Sequence, residues 1–314
     1  PQRALYRSYL GKAFSETGED RLADKDFRLA KELDPADPTG WFYSALHDQQ
    51  LNRNNEAIRE LQRSVALNDN YAVFRSRWLL DQDLAVRTAD LAVLYAAAGL
   101  TEVGEQAAVR AVGEDYANFS AHLFLSRSLA AQEDPNQFDL RFETPRQSEL
   151  LLANLLAPPG GGNLSLWVSQ QTRLAYFTPR RFGFSSFTDY ESGGNFEQAA
   201  SFYGREAGFS YALDVQYRTF AGQQPNGSRE QGQLSVQTQQ RLTEADSLYF
   251  SLSGGRDERG DVAAYYDPND ANRQLQAIEH QEPHLLTGYH HTWSPESHTL
   301  ALVGYLRDRL ELNH

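Results

Sequence analysis

The sequence predicts a multidomain α + β chain, with an α-solenoid of antiparallel helix pairs over residues 1–157 and an antiparallel up-and-down β-barrel segment over residues 182–314. Three observations predict this arrangement. Small and large residues recur with a period of 34 in the first part, apolar residues alternate with a period of two in the last part, and 6 of the 22 glycines lie before residue 158. Residues 158–181 are predicted to form a Pro/Gly linker and connector.

The composition is that of a folded, acidic protein. Hydrophobic residues make up 40% of the chain and charged residues 23%, which is the ordinary range for globular proteins. The 29 basic and 42 acidic side chains leave a net charge of -13, and no basic stripe is available to a nucleic-acid backbone. Cysteine is absent, which excludes disulfides and thiolate metal sites. The chain has no methionine and opens inside a repeat, so we interpret it as an internal fragment.

The helical repeat is predicted from a recurrence: segment 33–37 returns as segment 67–71, 34 residues later. In such repeats, small residues let two antiparallel helices approach closely, and an aromatic residue fills the gap between neighbouring pairs. A change at these positions is expected to affect stability and not chemistry. The predicted packing positions are Leu10, Gly11, Phe14, Ala23, Phe27, Ala30, Pro35, Trp41, Ala57, Tyr95, Gly104 and Ala111.

Two further segments complete the first domain. Residues 74–90 interrupt the repeat and are predicted to form an additional or lengthened helix. A last helix, from Pro145 to Leu156, ends at the sequence Ala-Pro-Pro-Gly-Gly-Gly, which stops a helix. Residues 163–179 show no lasting period and are interpreted as a connector, a plug or a first short strand.

From residue 182 the apolar residues alternate with polar ones, which predicts strands with one face of each kind. The residues predicted to face lipid are Phe209, Tyr211, Leu213, Val215, Tyr217, Leu248, Phe250 and Leu252. Those predicted to face a lumen are Asp214, Gln216, Arg218, Gln237, Gln239 and Arg241. Alternation alone fits a soluble sandwich as well as a membrane barrel.

Connection lengths, strand lengths and aromatic positions favour the barrel. Tight turns are predicted at 204–207, 243–246 and 294–297, and longer loops at 191–195, 222–231 and 256–274. Aromatic residues near strand ends are Tyr190, Phe209, Tyr217, Phe220 and Trp293. About seven strands are predicted. The outward face of the last two is left open, because two sets of residues compete for it: Ala301, Val303 and Tyr305, or Leu300, Leu302 and Leu306.

Candidate chemical sites are few, and no catalytic residue or cofactor is predicted. Late histidines, at positions 280, 284, 290, 291 and 298, are read as structural or lumenal, because four residues of a strand extend ~13 Å. The acidic loop 256–274 lacks EF-hand spacing. Tyr265 and Tyr266 are read as exposed loop aromatics in preference to a sugar platform. No serine–histidine arrangement is predicted.

Tetratricopeptide (TPR) repeats followed by an outer-membrane barrel in one chain resemble the bacterial exporters of cellulose and of poly-N-acetylglucosamine. The resemblance rests on domain order and on repeat positions such as Leu10-Gly11, Phe14, Trp41 and Ala57. It implies a non-enzymatic outer-membrane channel or export protein of a Gram-negative bacterium. Its barrel would contact outer-membrane lipid, and its periplasmic TPR groove would bind a protein or polymer.

The competing hypothesis is a soluble or surface-attached TPR scaffold, with a β-sandwich domain that mediates protein–protein interaction. An enzyme acting on envelope material has no support from individual residues.

Overall fold

The structure of the chain is a computed structural model. It describes residues 3–73, 76–130, 132, 144–159, 164, 182–263, 265–295 and 297–313. These fall into two compact units, a helical unit up to Leu156 and a sheet unit from Ala157. The predicted connector 163–179 lies outside the described residues, except for Leu164.

The helical unit contains eight α-helices in its described part, and consecutive helices pack in pairs. They are α1 Ala4–Glu16, α2 Asp20–Leu33, α3 Pro38–Gln50, α4 Asn54–Ala66, α5 Arg77–Ala97, α6 Thr101–Glu114, α7 Phe119–Ala130 and α8 Pro145–Leu156. The predicted last helix is confirmed. No helix among the described residues is long and apolar enough to cross a membrane.

The repeat is visible in the helix starts. α1 and α3 begin at residues 4 and 38, and α2 and α4 begin at residues 20 and 54, so both differences are 34. The predicted extra segment takes the form of a short 3-10 helix, Asn68–Val73, followed by the 21-residue helix α5. The helical unit is therefore a TPR-like solenoid with one lengthened helix.

The turns that carry the sequence recurrence stack on each other. Asn70 Nδ2 donates to the carbonyl oxygen of Ala36 at 3.0 Å, and the Tyr71 hydroxyl donates to Asp37 Oδ1 at 2.6 Å. Asp37 also accepts from the Thr39 amide at 2.8 Å and so caps α3. Burial, together with the hydrogen bond to Asp37, raises the pKa of the Tyr71 hydroxyl. Residues that are 34 positions apart in equivalent turns therefore contact each other.

The predicted packing positions occupy three environments. Seven are buried: Gly11, Ala23, Phe27, Ala30, Ala57, Gly104 and Ala111. Four are half-buried: Leu10, Phe14, Trp41 and Tyr95. Pro35 does not pack in the core; it is exposed in the turn between α2 and α3, where its carbonyl oxygen accepts a hydrogen bond from Trp41 Nε1 at 3.1 Å.

A glycine pair tests the close approach of the helices. A Cβ added at Gly11 would lie 2.7 Å from the ring of Phe27, whereas one added at Gly113 of α6 would meet nothing within 4 Å. We expect Gly11→Ala to destabilise the helical unit by ~1–3 kcal/mol through overpacking. Gly113→Ala is expected to stabilise it by ~0.5–1 kcal/mol, because alanine loses less entropy in a helix. Thermal unfolding of the two variants measures both effects. Shifts of the melting temperature in the same direction would contradict the close packing of Gly11 against Phe27.

The sheet unit is one antiparallel meander in which each strand from the first to the sixth pairs with the next. Its strands are β1 Gly183–Tyr190, β2 Phe196–Glu206, β3 Phe209–Phe220, β4 Arg229–Arg241, β5 Asp246–Arg259, β6 Gln276–Ser294, β7 Ser297–Tyr305 and β8 Asp308–Asn313. Both β7 and β8 pair with β6, along different parts of it. They therefore form one interrupted strand in the seventh position. The described sheet is open, with β1 and β7/β8 at its edges.

Three predicted connections need correction. The turn predicted at 204–207 lies later, because β2 continues to Glu206 and the chain reverses at Ala207 and Gly208, with φ of 43° and 84°. Two consecutive residues with positive φ make the tight reversal that suits a twisted hairpin. The loops predicted at 222–231 and 256–274 are shorter, since β4 begins at Arg229 and β5 extends to Arg259. The strands are longer than predicted as a result.

Candidate functional site

The sheet has an apolar face and a polar face, and their exposure is the reverse of that in a water-soluble sheet. On β3, Leu213 and Val215 are 36% and 45% exposed, whereas Asp214 and Gln216 are 1% and 5% exposed. Antiparallel sheets in water normally bury the apolar face and expose the polar one. The predicted alternation is confirmed, and its polar side chains are the buried ones.

The apolar face is continuous across all seven strand positions. Strand pairing places one apolar residue of every strand side by side, in the row Phe184, Phe202, Leu213, Val236, Leu252, Leu285 and Tyr305. Along β3 the apolar positions extend from Phe209 to Tyr217, and eight residue steps correspond to roughly 26 Å of strand. In the last strand, Ala301, Val303 and Tyr305 lie on the apolar face, which resolves the orientation left open by the sequence.

The polar face carries a row of charged and amide side chains near the loop end of the strands. Pairing aligns Glu197, Arg218, Gln231, Asp257 and Glu279, one from each of β2 to β6. Arg218 Nε donates to Gln231 Oε1. One row nearer the turns, Gln216 Nε2 donates to Glu197 Oε1 at 2.6 Å, so neighbouring rows are linked.

A buried ion pair anchors this charged row. Arg229 Nε lies 2.6 Å from Asp257 Oδ1, and the two side chains are 2% and 1% exposed. Arg259 Nη1 lies 3.6 Å from the other oxygen of Asp257. One carboxylate thus lies between two guanidinium groups, which keeps its charge compensated away from water.

Smaller polar residues line the middle of the polar face. A second row consists of Ser185, Ser201, Asp214, Ser235, Ser253 and His284. Nearer the turns, Tyr249 donates its hydroxyl to Gln237 Oε1 at 2.8 Å, and Gln239 Nε2 donates to the Ala157 carbonyl at 2.5 Å. Arg241 Nη2 donates to the Pro159 carbonyl at 3.2 Å. The six predicted lumen-facing residues therefore all lie on this face, with Arg241 exposed at its turn end.

Four of the five late histidines, all except His280, have polar partners among the described residues. Gln281 Nε2 donates to His284 Nδ1 at 3.0 Å, and His284 Nε2 lies 2.9 Å from Asp308 Oδ1. His290 Nε2 lies 2.9 Å from His298 Nδ1. His280 projects from the apolar face. In the part of the chain that the structure describes, no group of three His, Cys, Asp or Glu residues could hold a metal ion.

Asp261 organises the longest loop by accepting three hydrogen bonds. Its donors are the Asn272 amide at 2.8 Å, the Tyr265 hydroxyl at 2.8 Å and the Ala263 amide at 3.2 Å. These hydrogen bonds, that from Asn272 first, lower the pKa of Asp261. Tyr265 thus has a structural partner, whereas Tyr266 is fully exposed as predicted. All three donors belong to the loop, so the Asp261 carboxylate stabilises the loop conformation.

At the turn end, Asp246 links β5 to β6. It accepts from the hydroxyls of Thr243 and Tyr289, both at 2.5 Å, and lies 2.7 Å from His291 Nδ1. These hydrogen bonds, that of Thr243 first, hold the pKa of Asp246 well below its usual range. Trp293, near the end of β6, is 70% exposed beside His291. Aromatic rings with polar partners therefore border the apolar face on its turn side.

The helical unit contains a serine–histidine contact that the sequence prediction missed. Ser15 Oγ lies 2.9 Å from His47 Nδ1, and His47 Nε2 lies 3.4 Å from Asp24 Oδ1. The Ser15 hydroxyl also lies within hydrogen-bond distance of Gln50 Oε1, at 3.0 Å. His47 is 1% exposed. The cluster joins α1, α2 and α3 through Ser15, Asp24 and His47. Because residues 15 and 47 are 32 apart, no local motif could have indicated it.

Comparison with known proteins adds little to this description. No model of a protein family matches the chain, and no curated protein matches it. The solved structure of Pseudomonas aeruginosa pilF is 14% identical with a TM-score of 0.39, and the match covers 50% of this chain and 66% of that one. The APC/C hetero-tetramer Cut9–Hcn1 is 14% identical with a TM-score of 0.41, covering 50% and 28%.

MamA is 16% identical with a TM-score of 0.38, and the match covers 49% of this chain and 77% of that one. The chain spans less than two thirds of pilF and of Cut9–Hcn1. Likenesses of this size carry no argument. The helical repeat rests on its own helix spacing and stacked turns.

Proposed function

We propose that this chain belongs to a non-enzymatic outer-membrane channel or export protein, with its sheet unit in the membrane and its helical unit in the periplasm of a Gram-negative bacterium. The observation that supports it is the reversed exposure of the sheet: five of the seven residues in its apolar row are exposed and two are half-buried, while Asp214 and Asp257 are buried. Lipid favours apolar side chains outside a barrel and polar side chains inside it.

The competing hypothesis, a soluble scaffold with a β-sandwich, requires a second sheet packed on the apolar face. All eight strands of the described residues belong to one sheet, and most residues of its apolar row are exposed. A scaffold of this kind would present an apolar surface to water that is far larger than soluble monomers usually carry. The exposed row therefore favours the membrane.

Strand direction indicates how such a barrel is completed. In an antiparallel meander the first and seventh strand positions run in the same direction, so β1 and β7/β8 cannot pair antiparallel with each other. Unpaired backbone groups at a sheet edge are costly in lipid. We infer that at least one further strand, from this or another chain, completes the barrel.

The helical unit is proposed to bind a periplasmic protein or to guide a polymer to the pore. Exposed aromatic residues lie on its first helices: Tyr6 is 53% exposed, and the rings of Tyr9 and Tyr43 lie 5.6 Å apart. Lys12 Nζ lies 5.0 Å from the centre of the Tyr43 ring. Stacked helix pairs offer such side chains along an extended surface, which suits a peptide or another extended ligand.

Membrane fractionation of the full chain tests the proposal. We expect the protein to remain in the outer-membrane fraction after washing with high salt, and to dissolve only in detergent. A closed barrel should also migrate differently in gel electrophoresis before and after heating. Recovery of folded protein in the soluble fraction without detergent would reject the membrane assignment and favour the scaffold.

A further inference from the structure

A row of two arginines and one histidine crosses the apolar face toward its loop side. Arg256 of β5 pairs with His280 of β6, and His280 pairs with Arg309 of β8. Strands lie ~4.8 Å apart, so the three positions span roughly 10 Å. The strand pairing places them on the same face as Leu252 and Leu285. We call these three residues the cationic row.

The cationic row retains hydrogen-bond donors. Arg256 Nη2 lies 2.8 Å from Glu258 Oε2, and Arg309 Nη2 lies 2.9 Å from Glu311 Oε1. A guanidinium group carries five N–H donors, so each arginine keeps donors beyond this one contact. The arginine side chains are 57% and 66% exposed. His280 has no hydrogen-bond or ion-pair partner among the described residues.

The charges are ordered relative to the apolar face. Glu258 and Glu311 lie one row farther toward the loops than Arg256 and Arg309, so the arginines are on the side of this acidic row that faces Leu252 and Leu285. A further pair, Arg307 Nε and Glu282 Oε2 at 3.2 Å, lies beside the row. Long cationic side chains at the edge of an apolar surface keep their stems on it and extend their charges to the membrane interface.

We propose that Arg256, His280 and Arg309 bind the phosphate headgroup of an anionic lipid in the leaflet on the loop side. The geometry fits this ligand, because guanidinium groups bind phosphate oxygens through paired N–H donors. The row of Leu252, Leu285 and Tyr305 lies on the same face, four residues nearer the turns along β5, and would contact the acyl chains. An anionic lipid carries both a phosphate and acyl chains, whereas a soluble anion would contact only the basic side chains. This inference rests on the proposed membrane function.

Native mass spectrometry of the full chain tests the site. The protein is reconstituted into phosphatidylcholine vesicles with and without phosphatidylglycerol, and is then extracted in a mild detergent. We expect the unmodified protein to retain phosphatidylglycerol, and the double variant Arg256→Gln/Arg309→Gln to retain about tenfold less, as the loss of charge-assisted hydrogen bonds predicts. Both arginines are exposed, so the melting temperature should change little.

The matched control is Arg59→Gln in α4. Arg59 is 70% exposed and lies 2.9 Å from Glu56, much as Arg256 lies beside Glu258, but it belongs to a helix and not to the sheet. It should retain as much phosphatidylglycerol as the unmodified protein.

Equal retention by the double variant would overturn the lipid site and leave the membrane proposal intact. Displacement of the lipid by inorganic phosphate alone would show a soluble anion to be the ligand and would also overturn it. Failure of the unmodified protein to enter either kind of vesicle would reject the membrane proposal itself.

Discussion

Replacing Val215 by arginine is expected to destabilise the membrane-inserted protein by ~2–4 kcal/mol, the usual cost of a cation in the middle of the lipid-facing surface of a barrel. Val215 lies near the centre of the apolar face, with Leu234 directly opposite on β4. It is 45% exposed, so the longer side chain meets no steric obstacle in the core. The expected loss therefore comes from the surroundings of the sheet. Unfolding of the vesicle-inserted protein at increasing urea concentration measures this loss of stability.

Val109 provides the matched control. It is also an exposed valine, 52% accessible, but it lies on α6 of the helical unit. Val109→Arg should change the stability by less than ~0.5 kcal/mol, as is usual at exposed positions in water. If the two substitutions have equally small effects, the apolar face is in contact with water, and the membrane assignment is wrong.

Regular patterns in the sequence were sufficient to predict helices and faces. The 34-residue recurrence predicted the paired helices because equivalent turns, such as those at Asp37 and Tyr71, contact each other. Alternation predicted which β3 residues lie together, because a strand side chain must project to one face or the other. Each of these predictions depends on residues that are close in sequence, or on a period that repeats.

Strand ends and long-range pairs could not be predicted in the same way. Gly204 suggested a turn, but it continues β2 because it pairs with Tyr211 across the hairpin. The charged row containing Arg218 and Asp257 depends on the pairing register of successive strands, which the turns set. A shift by one residue would move every side chain to the other face. The cationic row of Arg256, His280 and Arg309 depends on the same register, including an irregularity near Gly255.

Loss of the Asp257 charge is expected to have the largest effect on the polar face. Asp257→Asn keeps the side-chain shape but leaves the buried guanidinium of Arg229, which is 2% exposed, without its carboxylate. Breaking a buried ion pair by removing one partner typically costs ~3–5 kcal/mol, because the remaining charge stays away from water. Unfolding of the detergent-solubilised protein by denaturant, followed by tryptophan fluorescence, measures this loss.

A substitution at the neighbouring residue, Glu258, shows whether the loss of stability in Asp257→Asn comes from burial of the ion pair or from the change of charge alone. Glu258 lies on the opposite face of β5, where it contacts Arg256 at 2.8 Å with both side chains exposed. Glu258→Gln removes the same charge from the same strand and should cost only ~0–1 kcal/mol, as exposed ion pairs do. The double variant Asp257→Asn/Arg229→Gln should recover part of the loss, since it removes the uncompensated cation. Similar losses for Asp257→Asn and Glu258→Gln would mean that the polar face is open to water, and the buried pair would then have no special part in holding the strands together.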